Sequence, residues 1–436
     1  MLQKTIPTTK NIFFIKNNSY LCSCNLNKMF FYKIVTGLYF FAIKIASLFN
    51  IKAKKMIVGR KNWRENLMQQ IEVGEKYFWI HLASLGEFEQ GRPLIEKIKK
   101  ENPAQKIIIS FFSPSGYEIR KNYPFADIVC YLPFDTKKNA KDFIEIVNPK
   151  IAVFVKYEFW CFMINELNCK NIPIYLVAGI FRENQFFFKK IAKFYLENIK
   201  KFTFFFLQDN NSKTILNRYN INNVCVCGDT RNDRVLQIAS EVYENHYLEI
   251  FSKDKQIVVC GSTWRYDEKI LVEYINKYSE KLNFIIAPHE LCEKNIKFLE
   301  VGIVSKTIRY SNIQNIDSQT TTIIIDNIGL LSKLYRYAKF AYIGGGFGRG
   351  IHNTLEAAVY NIPIIFGPNY KKFKEACHLV EINVAFPIKN FNDFEKIANK
   401  IFLETENYKQ MQINIKEYFF KSVGATDFIY KYLYNL

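Results

Sequence analysis

Neither a CxxC pair nor a Cys/His ligand cluster occurs in this 436-residue chain, although it holds ten Cys and five His. Cys22 and Cys24 lie near the N-terminus, and Cys225 and Cys227 alternate within an apolar run. That scatter points to reduced thiols and to no structural zinc. The signature G-x-x-x-x-G-K-[ST] is missing too, which argues against a P-loop NTPase, and no Asp-x-Asp pair offers a metal site. Gly (18) and Pro (12) are too sparse for collagen-like or low-complexity chains. Acidic residues are the minority: 41 Asp and Glu stand against 60 Lys and Arg, a net charge of +19.

What is present is apolar material. Hydrophobic residues at 49% rule out disorder for the bulk, and at roughly 150 residues per domain the length allows two or three domains. Lys is abundant together with Asn, Ile, Phe and Tyr, so part of the basic excess is a general drift in residue usage. The remainder still favours anionic partners: phospholipid, a phosphorylated glycolipid or nucleic acid.

Residues 1–28 are polar and Asn-rich and read as an unassigned N-terminal extension, with Met29 as an alternative start. From Phe30 to Phe49 the chain is mostly apolar, broken by Lys33 and Lys44 and followed by Lys52, Lys54, Lys55, Arg60, Lys61 and Arg64. A spanning helix wants about 20 apolar residues, a length reached here only if both Lys snorkel. The segment 29–57 is therefore expected to associate with a membrane, as a monotopic or single-span anchor beside a basic collar, with a buried helix as the other reading. No second segment approaches spanning length.

Short apolar runs then alternate with longer amphipathic ones, the pattern of parallel sheets with crossover helices. Strands are expected at 78–82, 106–112, 151–155, 173–177 and 203–207, then at 256–260, 283–287, 322–325, 340–343 and 362–366. Helices are expected at 88–100, 137–147, 158–168, 186–201, 266–279, 329–337 and 353–360. Two similar α/β halves, 58–220 and 221–410, read as Rossmann-like domains facing each other across a cleft. The segment 411–436 is a helix that returns to the first half.

Functional residues of open α/β sheets sit beyond the carboxyl ends of strands. The strand 78–82 leads to Ser84, Gly86 and Glu87 at the mouth of a helix. Glu87 is either a base or a first-turn acid that complements the helix dipole, and Glu89 competes for either role. The strand 340–343 leads to Gly344-Gly345-Gly346-Phe347-Gly348-Arg349-Gly350-Ile351-His352-Asn353, where glycines bring backbone N–H groups close to an anion ahead of a helix. Asn353 and Glu356 have the spacing of an N-cap and its reciprocal acid, so capping and ligand binding are equally good readings. His352 either bonds a phosphate or closes the loop. Gly261-Ser262-Thr263, Pro288-His289-Glu290 and Glu158-Phe159-Trp160 also follow strands. Together these motifs suggest a phosphorylated donor bound by one half and an acceptor by the other.

The order of motifs resembles the 3-deoxy-D-manno-octulosonic acid (Kdo) transferases of lipopolysaccharide biosynthesis. The resemblance is carried by HLASLGEFEQGRPLI at 81–95, FFSPSGYE at 111–118, YLPFDT at 131–136, NPKIAVFVKYEFW at 148–160, GDTRNDRV at 228–235, GSTW at 261–264 and IGGGFGRGIHNTLEAAVYNIPIIFGPNYKKF at 343–373. It implies a GT-B fold of two Rossmann-like domains, CMP-Kdo as donor, a lipid A precursor as acceptor, and an N-terminal segment holding the enzyme at the cytoplasmic face of the inner membrane. It also implies catalytic roles for Glu87 and Glu158. The cytidine monophosphate side is implied to include Ser262, Thr263, His289, Gly345, Gly346, His352, Asn353 and Glu356. Ser84, Gly86, Arg92, Ser113 and Ser115 fall on the acceptor side. Two departures stand out: Pro288-His289-Glu290 replaces a Pro-Arg-His, and Trp264 replaces the His of G-S-T-H.

The residue types suit an inverting transfer, which needs one base near the acceptor hydroxyl and electrostatic help for the departing phosphate. A leaving group with one phosphate has less need of a bridging Mg²⁺ than a diphosphate has, so catalysis is expected without metal or cofactor. The rival readings are another GT-B enzyme, such as a nucleotide-sugar epimerase or a UDP-sugar transferase, and a basic nucleic-acid-binding protein. The aromatics lie mainly inside apolar runs and do not interleave with Lys and Arg, which argues against nucleic acid.

Overall fold

The structure, a computed structural model, describes residues 26–189 and 192–435; residues 1–25, most of the expected extension, lie outside the described residues. Two compact units form. The first runs to Arg231 and takes in the residues from Gly424 onward, and the second is Asn232–Val423.

Each unit is built on a seven-stranded sheet, and the strands pair in parallel throughout. In the first unit β1 (Tyr77–Leu82), β2 (Ile107–Phe111), β3 (Ile128–Tyr131), β4 (Pro149–Val155), β5 (Ile174–Gly179), β6 (Phe204–Leu207) and β7 (Val224–Val226) lie in the order β3-β2-β1-β4-β5-β6-β7. In the second, β8 (Gln256–Thr263), β9 (Leu282–Pro288), β10 (Thr307–Arg309), β11 (Thr322–Ile324), β12 (Ala338–Ile343), β13 (Ile364–Phe366) and β14 (Ala385–Pro387) lie in the order β10-β11-β9-β8-β12-β13-β14.

Near-continuous apolar runs make these strands because both faces of a parallel sheet are covered. Every residue of β1 and β9 is buried. Successive side chains of β1 point to opposite layers: Trp79 packs with Phe143, Phe154 and Met163, while Phe78 and Ile80 pack with Leu94, Ile98 and Ile429. Each such side chain, fully removed from water, contributes roughly 1.5–3 kcal/mol. The terminal helix Ala425–Tyr434 covers the second of these layers with Phe428, Ile429, Tyr432 and Leu433. The preceding helix, Thr405–Ser422, belongs to the second unit through Met411, Ile415, Tyr418 and Phe419.

The apolar N-terminal segment forms α1 (Leu26–Ala46), and Met29–Ala46 has the length and composition of a membrane-crossing helix. Tyr32, Thr36 and Ile43 are buried along one face, whereas Phe30, Ile34, Leu38, Phe41 and Ile45 are exposed. Tyr32 donates its hydroxyl to Asp135 at 2.5 Å, and Phe40 stacks on Phe134 at 4.3 Å. A second short helix, α2 (Ile51–Val58), follows and is capped by Asn50, which accepts from the N–H groups of Lys52 and Ala53.

Several helices differ from their expected extents: 329–337 is one α-helical turn at Leu331–Leu334 followed by a 3₁₀ turn at Tyr335–Tyr337, and 353–360 shortens to Leu355–Ala358. Within the segment 186–201 the described residues form an α-helix at Lys193–Ile199 and a 3₁₀ turn at Phe186–Phe188. The helix expected from residue 158 begins at Cys161, which leaves Glu158 in the turn after β4. Among the described residues Cys130, Cys161, Cys260, Cys292 and Cys377 are free thiols.

Candidate active site

The strand order reverses between β1 and β4 in the first sheet and between β8 and β12 in the second, where β10 and β11 are also exchanged at the edge. Connections leave a reversal point in opposite directions, so a crevice opens at the carboxyl ends of the two central strands. The motif residues collect at these two places.

In the first unit Ser84 precedes the helix Leu85–Glu101 in extended conformation (φ −144°). Its side chain caps no backbone N–H; the hydroxyl donates instead to the carboxylate of Glu87. Lys156, the first residue after β4, sets its ammonium 3.9 Å from the other oxygen of Glu87. Ser113, which ends the β2 strand loop, donates its backbone N–H to Ala83 O at 2.7 Å and accepts from the N–H of Ser115. Gly86 leaves space above the turn, since an added Cβ would meet only Ser84 Oγ, at 3.7 Å. Arg92 lies elsewhere, bonded to Glu96 at 2.7 Å and 3.8 Å from Glu89. Glu89 in turn pairs with Arg120 at 3.1 Å.

Glu158 stands beside this group. Burial pushes its carboxyl up to about 7; the negative charge of Glu87 adds to the rise, while the Trp160 indole and Lys156 oppose it. Beneath it lies a chain of hydrogen bonds that runs from half-buried Trp160 into the fully buried core. Trp160 donates its indole N–H to His81 Nε2 at 3.0 Å, His81 Nδ1 lies 2.9 Å from Ser110 Oγ, and Trp79 donates to the same hydroxyl at 2.8 Å. Accepting from Trp160 fixes His81 as the neutral Nδ1–H tautomer, and burial holds its pKa down at about 3. Its 3.9 Å approach to Glu158 is therefore no ion pair. An aromatic path links α1 to this pocket: Tyr39 stacks on Phe112 at 6.4 Å, and Phe112 lies 4.6 Å from Trp160.

The second unit is organised by Asp267, which is fully buried and accepts from Gly345 N (2.9 Å), Trp264 N (2.9 Å) and Tyr342 Oη (2.6 Å). One carboxylate thus ties the glycine loop after β12 to the turn after β8. Gly345 needs its freedom, with φ of +89°, and a side chain at Gly344 would meet Ser262 O at 2.2 Å. Ser262 is itself left-handed (φ +54°), and Thr263 donates to buried Glu268 at 3.3 Å. Three rings meet over the loop. Trp264 donates to His352 Nε2 at 2.9 Å in nearly the same plane, and His289 stacks on both, at 4.6 Å from Trp264 and 4.3 Å from His352. Burial lowers the pKa of His352 to about 4, with the neighbouring His289 adding to the effect. Asn353 accepts from Leu355 N and donates to Glu356 at 3.0 Å, as a capping pair does, and the helix they open is one turn long, Leu355–Ala358. Among the described residues no group of three or more His, Cys, Asp or Glu is arranged to hold a metal ion.

Residues 61–234, the segment that contains β1 to β7, match the family described as 3-Deoxy-D-manno-octulosonic-acid transferase (kdotransferase). A 3-deoxy-D-manno-octulosonic acid transferase of Aquifex aeolicus is 26% identical over 72% of this chain and 82% of its own length. Over residues 61–234 the chain is similar to the Kdo transferases. A bifunctional glycosyltransferase/methyltransferase of Fusobacterium nucleatum is 28% identical over 79% of this chain, and the chain spans 55% of that relative's length. Among solved structures, the S. aureus MnaA-UDP co-structure aligns with a TM-score of 0.56 over 83% of this chain and 98% of its own, at 14% identity. That likeness shows the fold alone, two parallel α/β sheets of GT-B type.

Against the Kdo transferase motifs, the residues that sequence reasoning passed over are Lys156, His81 and Asp267. Lys156 sits inside the quoted NPKIAVFVKYEFW and was readable as a strand-end residue. His81 carries no local signal, because its partners lie 29 and 79 residues away; Asp267 has a local capping partner in Trp264 N, but the groups it ties in, Tyr342 and Gly345, lie 75 and 78 residues away. Trp264, a departure from the family pattern, is built into the ring cluster.

Proposed function

We propose that the protein transfers Kdo from CMP-Kdo to a lipid A precursor with inversion, Glu87 taking the proton of the acceptor hydroxyl. The observation that carries this reading is the Glu87 carboxylate at the β1/β4 reversal, held by Ser84 and Lys156 beside Glu158. A carboxyl held by a hydroxyl and an ammonium, next to a second carboxyl that burial pushes up to about 7, suits a base working beside a group that can share or donate a proton. Glu158 is the second member of that pair. Ser84, Gly86, Ser113 and Ser115 would line the acceptor side. Arg92, turned toward Glu89 and Glu96, would act there through the helix it stiffens.

CMP would lie on the second unit's loops, with Gly345 and Gly346 offering a close backbone approach and Ser262, Thr263, His289, His352, Asn353 and Glu356 around it. The departing phosphate is stabilised by backbone N–H groups and imidazole donors. CMP leaves with a single phosphate, so turnover without metal or other cofactor is part of the reading, and EDTA should leave it unchanged. Mg²⁺-specific restoration after EDTA would remove that part.

The family resemblance names a lipid acceptor, and α1 supports its delivery. The exposed apolar face of α1 and the Lys residues after it fit an anionic bilayer at the cytoplasmic face of the inner membrane, and the Tyr39–Phe112–Trp160 path joins that helix to the carboxylates. The deciding experiment incubates the full-length protein in mixed micelles with CMP-Kdo and tetraacylated lipid A precursor and weighs the lipid by mass spectrometry. The expected product is heavier by one or more Kdo residues, with CMP released in equal number. Unchanged lipid, with turnover of a UDP-sugar instead, overturns the reading.

A further inference from the structure

Lys156 closes β4 with φ of +67°, a left-handed conformation that crowds the Cβ of every residue except glycine. The turn is held all the same, because Lys156 donates its backbone N–H to Val177 O at 2.9 Å. A strained, well-held residue at a strand end has a consequence to be sought in its side chain. That consequence is charge placement. The ammonium, 27% exposed, stands 3.9 Å from the Glu87 oxygen that Ser84 leaves unbonded, and it acts on Glu158 two residues further on.

Glu87 and Glu158 raise a difficulty for an anionic sugar: two ionised carboxylates in one pocket repel each other and repel any donor that carries a carboxylate of its own. One ammonium, close to Glu87 and acting on Glu158, removes half of that charge. We propose that Lys156 is a positioning residue, clamping the Glu87 carboxylate opposite Ser84 and offsetting the second negative charge that an anionic sugar donor would meet. This rests on the reading of Glu87 as the base. The other ionisable groups around the cluster do not duplicate the role: His81 is neutral, Tyr157 and Tyr39 are held protonated mainly by burial, Arg182 acts on Tyr157, and Arg60 acts on His81 and Tyr39, whereas the cation acting on Glu158 is Lys156.

The backbone conformation supplies a clean test. Lys156→Gly removes the ammonium at a φ that glycine adopts freely, so the variant should melt at the wild-type temperature or above it. Its kcat for Kdo transfer should fall about 10- to 100-fold, as expected for a misplaced base, with the acceptor KM within about twofold. Lys156→Arg should recover most of the rate. In the substrate-free protein, ¹³C NMR of labelled Glu should show the Glu158 carboxyl titrating above its wild-type midpoint of about 7, since losing a nearby cation favours the neutral acid. Wild-type kcat in Lys156→Gly, or a Glu158 midpoint that does not move, overturns the proposal. If the wild-type protein moves no Kdo at all, the base assignment falls by itself, and the carboxyl titration still decides whether Lys156 governs the pair.

Discussion

Glu87 and Glu89 sit two positions apart on one helix, yet their surroundings differ in kind. Glu89 is bound by Arg120 and approached by Arg92, whereas Glu87 meets a hydroxyl, an ammonium and a second carboxyl. Only Glu87 therefore keeps a carboxylate oriented by weak partners and able to receive a proton. Glu87→Gln should lower transfer by on the order of 10²- to 10⁴-fold while CMP affinity and melting temperature stay near wild type, and Glu89→Gln should keep most of the rate. Steady-state kinetics with CMP titrations checks both, and the opposite ranking would move the base to Glu89. Glu87 was legible in the sequence because a strand-end rule points to it. Its clamp was not, because Lys156 reaches it across 69 residues of chain. Trp264 offers a second residue-scale case. Its indole N–H bonds the nitrogen that His352 would have to protonate, which favours the neutral ring. Trp264→Phe should raise the His352 titration midpoint from about 4 and strengthen CMP binding below pH 6. Proton-detected NMR of His352 reads the first effect and calorimetry at pH 5.5 the second; an unmoved midpoint would deny Trp264 this role.

At the scale of elements, long apolar runs were legible and short edges were not. The central strands β1, β4, β8, β9 and β12 carry six to eight residues each, enough for a buried run to stand out. β7, β10 and β14 are three residues long and lie at or beside a sheet edge, where no periodicity can develop. Phe186–Phe188 misled for another reason. Its rings join an aromatic cluster with Phe159, Phe181 and Tyr219, so tertiary packing overrides a helical pattern. α1 shows both faces of the problem. Composition announced an apolar helix, but Tyr32, Phe40 and Ile43 engage the first unit along most of its length. A helix held in this way would have to give up the Tyr32–Asp135 bond to cross a bilayer, so a flat, monotopic attachment costs less. Replacing Phe30, Leu38 and Phe41 by Asp should abolish pelleting with anionic vesicles and leave the melting temperature within a few degrees. Deleting residues up to 57 should also release the protein from vesicles, but it should lower stability because Asp135 loses its tyrosine. Equal melting temperatures for the two variants would show that α1 is not part of the folded unit.

Across the whole molecule, the same device occurs twice: a seven-stranded parallel sheet with a central reversal, and polar motif residues at the carboxyl ends of the strands flanking it. Burial of ionisable groups at such sites leaves a signature in global stability. Glu158 is 19% exposed, and its carboxyl is held at about 7 against an ordinary value of 4.5, chiefly by desolvation. A carboxyl with a raised folded-state pKa binds more protons in the folded state than in the unfolded state between those two values, so its contribution is fully present below pH 4.5 and is lost as pH rises through 7. At pH 8 Glu158 therefore costs stability, on the order of 3 kcal/mol from a shift of this size. Glu158→Gln removes that cost while keeping the shape of the side chain. Thermal unfolding of the wild-type and Gln variants from pH 4.5 to pH 8 should show matching midpoints at the acid end and a variant several degrees more stable at pH 8. Sugar transfer should fall in the same variant, so stability and activity move in opposite directions. A gap that is constant with pH would mean that Glu158 is solvated in the folded protein, and the carboxyl pair would then have no shared proton to offer.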